Sequence, residues 1–186
     1  MSGLPHVWGA TDTEVATTWA CDRLHPDATV RLVRAVDVDA CAETVFAWLG
    51  NLRVAPYSYD LLDNRGRRSP RRLRTDLPPL AVGQRAVAIF DVLDVVEGEE
   101  LTLATRGDAA ERVFGPVTLT YAVRPGRVRD PGGSRLVAVV RQGHAHGRLE
   151  RARSLALAWG DLPMMRKQLL TLRDLAEQGP VAPGPR

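Results

Sequence analysis

Asp161-Leu-Pro-Met-Met-Arg-Lys-Gln-Leu-Leu-Thr-Leu-Arg-Asp-Leu-Ala-Glu177 is the stretch on which the fold turns. Leu162, Met165, Leu169, Leu172 and Ala176 keep one apolar stripe at the helical period for about four turns, with Arg166, Lys167, Arg173, Asp174 and Glu177 opposite. The spacing predicts a long amphipathic helix. Asp161 is placed to cap its start, Pro163 is tolerated in a first turn, and Gly179-Pro180 ends it. Leu149 to Trp159 reads as a shorter helix that Gly160 separates from the long one.

A helix with one apolar side needs a surface to cover, and the chain before it supplies strands. Val30, Leu32, Val36 and Val38 fall at even spacing, with Arg34 breaking that face once. Arg85 to Val96 is one bent strand or two with a tight break, and Glu97-Gly98-Glu99 turns into Leu101 to Thr105. Val117, Leu119, Tyr121 and Val123 alternate with Thr118, Thr120 and Ala122, the pattern of a half-buried strand. Leu136 to Arg141 is a further strand, running on toward His146. Between the first strand and the rest, Asp39 is a plausible N-cap, and Val45, Trp48, Leu49 and Leu52 mark a short amphipathic helix that Pro56 ends or kinks. Tyr57 to Asn64 can add a second short helix. The order predicts an α+β architecture, an antiparallel sheet with one face covered by the C-terminal helix.

The chain divides into an N-terminal arm, residues 1–29, a domain over 30–178, and a Pro/Gly tail, 179–186. Trp8 and Trp19 argue that the arm packs on the domain. A net charge of +3 is too small for a dedicated nucleic-acid binder, and no apolar run reaches the length of a membrane span. Cys21 and Cys41 are too few for a disulfide framework or thiolate metal site. These features, and an N-terminus unlike a signal peptide, point to a soluble cytoplasmic protein. There is no glycine-rich phosphate loop, GxSxG or HExxH, so neither a cofactor nor a metal is expected.

Val54-Ala-Pro-Tyr-Ser-Tyr-Asp60, Gly83-Gln-Arg85, Phe114-Gly-Pro116 with Thr118 and Tyr121, and Trp159-Gly-Asp-Leu-Pro-Met-Met-Arg-Lys-Gln-Leu169 resemble the SRPBCC superfamily. This is the START-like or Bet v 1-like helix-grip group, often labelled polyketide cyclase/dehydrase, and the resemblance runs from about Trp8 to Gln178. It implies a curved antiparallel sheet wrapped around a long C-terminal helix, two short helices after the first strand, and a cavity for an apolar ligand. No branch-specific catalytic signature is present, which leaves the catalytic residues unassigned.

The expected function is binding of a small hydrophobic or amphipathic ligand between sheet and helix. Trp48, Leu119, Tyr121, Met165 and Leu169 would form apolar walls, with Tyr57, Tyr59, Asp60 and Asn64 as polar groups at the entrance. The bland alternative for the tyrosines is that both rings staple helix to sheet. A competing enzymatic reading is a polyketide cyclase/dehydrase in which Tyr57 or Tyr59 donates to a carbonyl while Asp60 or a histidine moves the proton. A third is an interaction module docking acidic partners on Arg65, Arg67, Arg68, Arg71, Arg72 and Arg74. That run lacks the stacking aromatics of single-strand binders and reads as a solvated loop. His144 and His146 share one side of a strand but lack a third metal ligand, and Asp91 and Asp94 are spaced to face opposite sides.

Overall fold

The computed structural model describes residues 3–58, 68–87, 89–107, 111–112, 114–126, 132–143 and 147–179, with backbone only for 147–151. The described elements are β1 (Val7–Trp8), α1 (Asp12–Ala16), α2 (Ala20–Leu24), β2 (Val30–Val38), α3 (Ala42–Gly50), a 3-10 turn (Asn51–Arg53), β3 (Arg85–Ala86), β4 (Phe90–Val96), β5 (Glu100–Thr105), β6 (Val117–Pro125), β7 (Ser134–Gln142) and α4 (Gly147–Glu177). The seven strands form one open sheet in the order β1-β2-β7-β6-β5-β4-β3. Every neighbour is antiparallel except β1, which runs parallel to β2 at the edge.

Period-2 alternation sorts the strand residues between two faces. Val30, Leu32, Val36 and Val38 of β2 join Leu119, Tyr121 and Val123 of β6, Leu136, Ala138 and Val140 of β7, and the buried face of α4 in the main core. Val33, Ala35, Ala122, Val137 and Val139 face the other way, into a second core with Trp19 and Cys21 of the arm. Strand β6 is therefore buried on both faces rather than half-buried: Thr120 is fully enclosed, bonded to Thr102 Oγ1 at 2.9 Å and accepting from Cys21 N at 2.9 Å. Threonines that would suit a solvated face instead find hydroxyl and amide partners under α2.

Arginines of the sheet tie the arm down: Arg31 donates to Val15 O, Thr17 O and Asp22, and Arg34 to His6 O. Arg135 donates to Glu14 Oε1 at 2.7 Å, to Asp37 Oδ1 at 3.1 Å and to Gly9 O at 2.6 Å. Gly9 has φ +70°, and a Cβ there would lie 2.2 Å from Ala35 O, so the close pass of the arm over β2 requires glycine.

Two helix boundaries differ from the sequence expectation. Helix α3 is N-capped at Cys41 without a side-chain cap, while Asp39 N donates to Glu177 Oε1 at 3.0 Å, so Asp39 joins the strand end to α4 rather than capping α3. Helix α4 is continuous through Gly160 and Pro163, and Asp161 is not a cap. An interior proline leaves the Trp159 carbonyl without its helical donor, a cost of about 3 kcal/mol. Burial of an uninterrupted inner face through Ala158, Met165, Leu169, Leu172 and Ala176 outweighs it.

A polar cluster in a cavity between sheet and helix

Strand register places the candidate site. Arg34 pairs with Ala138, which also pairs with Tyr121, so these three residues form one row across the inner face. Four residues along β6, Val117 stands in another row with Gln142, Thr105 and Phe90. At ~3.3 Å per residue these rows are ~13 Å apart. Between them and the middle of α4, residues 156–168, is a cavity of about 480 Å³. Leu32, Leu119 and Val140 form its floor, Met164 and Met165 its roof, and Ile89 and Phe114 further walls. Both described non-glycine residues with left-handed backbone are in bordering segments: Val87 (φ 50°) lines the cavity, and Tyr57 (φ 55°) sits between lining residues Pro56 and Ser58. Strained backbone of this kind collects at ligand sites.

One end of the cavity is polar. Arg34, fully enclosed, donates from Nη2 to Asp161 Oδ2 at 3.2 Å and from Nη1 to His6 O at 2.7 Å, while its Nε has no acceptor among the described residues. Asp161 keeps 27% of its side-chain surface and is part of the cavity wall. Burial raises its pKa to about 6, and the attraction of Arg34 only partly offsets this. The Tyr121 hydroxyl donates to Gln168 Oε1, and Gln168 Nε2 donates to Pro56 O at 2.6 Å. Burial, reinforced by the Asp161 charge, pushes the Tyr121 phenol well above its ordinary value, so it stays a neutral donor.

Of the residues expected to line a site, Leu119, Tyr121 and Met165 do so. Leu169, fully buried, belongs to the filled core beyond the cavity. Trp48 and Tyr57 are buried in that core edge to face, with ring centroids 5.8 Å apart and planes at 84°. Tyr59, Asp60 and Asn64 lie outside the described residues, as do Arg65, Arg67, His144 and His146. Arg68, Arg71, Arg72 and Arg74 are described and exposed, and Arg74 forms a two-bond pair with Asp76 at 2.7 and 2.6 Å. Asp91 pairs with Arg106 at 3.3 Å. Among the described residues no cluster of His, Cys, Asp and Glu could hold a metal, and no helix is long and apolar enough to cross a membrane.

Arg34, Asp161 and Gln168 went unassigned as site residues in the sequence, although signals existed. Arg34 occupies an inward position in an otherwise apolar even-numbered run, and Asp161 and Gln168 are four before and three after Met165, on the stripe itself.

A long helix lying across the inner face of an open, mostly antiparallel sheet defines a helix-grip protein of the α+β class. No family model matches the chain, and no curated protein matches it. Solved structures do. A Thermobifida fusca protein solved by NMR has a TM-score of 0.52 at 18% identity, covering 80% of this chain and 93% of that one. A START superfamily protein from Mycobacterium smegmatis has a TM-score of 0.45 at 15% identity, over 80% of this chain and 97% of that one. The di-domain ARO/CYC StfQ from the steffimycin biosynthetic pathway has a TM-score of 0.47 at 12% identity, over 85% of this chain and 54% of StfQ. The likeness is one of fold, and the fold is the one implied by the sequence resemblance.

Proposed function

We propose that this protein binds a small hydrophobic or amphipathic molecule in the cavity under the middle of α4. The cavity itself carries this reading: about 480 Å³ of space, walled by leucine, valine, methionine and phenylalanine, with a few polar groups gathered at one end. That volume falls within the ~300–1,000 Å³ of small-molecule sites, and the mixture of walls is the usual one. Burial of apolar ligand surface, at ~25 cal/mol per Å² before ordering costs, would supply the driving force. The free thiols of Cys21 and Cys41 support a reducing compartment as the place of action.

Gly160 provides the test. It lines the cavity, and a Cβ there would meet nothing within 4 Å. Gly160→Phe should fill the space from the roof without disturbing the folded core. The wild-type chain should bind the neutral fluorescent probe N-phenylnaphthylamine, and the variant should lose that binding while keeping its circular dichroism. Solvent extraction of the purified wild type, followed by mass spectrometry, should identify a co-purifying molecule that the variant lacks. Equal probe binding by both proteins would place the ligand elsewhere.

A further inference from the structure

We infer that the cavity selects ligands whose polar end donates a hydrogen bond, an alcohol, phenol or amine, and rejects carboxylates, with Asp161 as the receiving group. This rests on the cavity-binding reading above and gives it a ligand class.

The polar side chains of the wall differ in what they have left to offer. Gln168 Nε2 is committed to Pro56 O, and Tyr121 OH to Gln168. Gln142 Nε2 donates to Phe114 O at 2.9 Å, and Ser58 Oγ donates to Met164 O at 3.0 Å. Each of these donors has at least one protein partner, the two glutamine amides keeping a second N–H, and all of them are neutral. Asp161 is the exception in kind. Arg34 reaches only its Oδ2, no described hydrogen bond reaches Oδ1, and the side chain remains partly open. An acceptor of this sort asks for a donor, and a bond to a charged acceptor is stronger than a neutral one.

Charge points the same way. Among the described lining residues there is no Lys, Arg or His. Arg34 cannot serve as the anion site: it has no exposed surface, and its terminal nitrogens are held by Asp161 and His6 O. An incoming carboxylate would meet the Asp161 carboxylate with no cation in hydrogen-bond reach, and the enclosed Arg34 guanidinium would offset that repulsion only in part. The row of Arg34, Ala138 and Tyr121 holds this polar end apart from the Phe90 and Val117 row, so the apolar body of the ligand would extend along the strands from head to tail.

The test is displacement of N-phenylnaphthylamine from the full chain by decanol, decylamine and decanoate at about pH 8, where Asp161 is ionised. Decanol and decylamine should displace the probe at concentrations about tenfold or more below decanoate. Asp161→Asn should close the gap. Because that variant leaves Arg34 without its counter-charge, Arg34→Met/Asp161→Leu serves as the second variant, retaining probe binding and losing the preference. Decanoate matching or exceeding the other two on the wild type would overturn the head-group assignment while leaving the cavity reading standing. So would a preference that survives in both variants. If neither the probe nor any amphiphile binds the wild type, the cavity reading falls and takes this inference with it.

Discussion

From Leu169 to Ala176, helix α4 lies on a filled core; from Ala156 to Gln168, the same helix roofs a cavity. In the first half of this comparison, Leu169, Leu172, Leu175 and Ala176 are buried in one cluster with Trp48, Leu49, Leu52 and Tyr57. In the second, the cavity is bordered by exposed Gly160 together with Asp161, Met165 and Gln168, and the helix leaves Leu155 and Trp159 about half exposed. Periodicity is common to both halves, so helix formation cannot be what separates them. The difference is in polarity at the inward positions: bulky aliphatics close against α3, while Asp161 and Gln168 interrupt the aliphatic stripe above the sheet. Packing is thereby denser toward the C-terminal end of α4 than over residues 156–168.

The largest effect is expected at the ion pair of the cavity half. Arg34→Ala removes the counter-charge of Asp161 and should cost about 3–5 kcal/mol in urea denaturation. Arg34→Met/Asp161→Leu, which replaces both partners by apolar groups, should return to within about 1 kcal/mol of wild type. A cost below about 1 kcal/mol for Arg34→Ala would show that the pair is solvated rather than enclosed.

Next come matched truncations on the two halves. Leu172, 1% exposed in the filled core, should cost about 2–5 kcal/mol on replacement by alanine. Met165→Ala should cost less than about 2 kcal/mol, because a side chain bordering an existing void has fewer contacts to lose. Equal costs would mean that the two halves are packed alike.

Much of this was legible in the sequence, and the failures have a common cause. Strands β2, β6 and β7 and the α4 stripe were written in alternation and in the 3.6 period, because each buries a face of its own. What a second layer does was hidden: Thr118 and Thr120 read as a wet face until α2 is laid over them. The site failed for the same reason. Arg34 and Asp161 each carried a local reading, a broken strand face and a helix cap, and their pairing spans 127 residues of chain. Only the topology brings them together. Trp48 and Tyr57 attracted a ligand role as aromatics, yet their buried edge-to-face pairing serves the filled half.

The pH dependence of Asp161 is a smaller effect with a defined sign. Its folded pKa of about 6 lies above the ordinary value of 3.8, so between those values the folded state binds more protons than the unfolded one. Stability from this group is then greatest below about pH 4 and is lost as pH rises to about 6. Asp161→Asn mimics the protonated form. Leaving Arg34 without its counter-charge sets a fixed cost for this variant, but its stability relative to wild type should shift in the variant's favour as pH rises from about 4 through about 6. Glu14 and Asp22 have opposite slopes, since arginine and backbone hydrogen bonds outweigh burial and hold both below their ordinary values. They are common to both proteins and cancel in the difference. A flat difference across this range would show that Asp161 is solvated.

Gly160 sharpens the comparison with the smallest change. The sequence reads it as the break between two helices, whereas the structure keeps it inside α4 without a left-handed φ and with open space where a Cβ would stand. In a continuous helix, glycine costs about 0.5–1 kcal/mol relative to alanine through its extra freedom in the unfolded chain. Gly160→Ala should therefore stabilise the protein by that amount and raise Tm by about 1–4 °C for a chain of this size. If Gly160 instead terminated one helix and opened another, the added methyl would be neutral or harmful, because a junction uses the freedom that alanine removes. A fall in Tm would divide α4 into two helices and make the cavity half a separate, hinged element; a rise would fix the roof and the filled core as parts of one rigid rod.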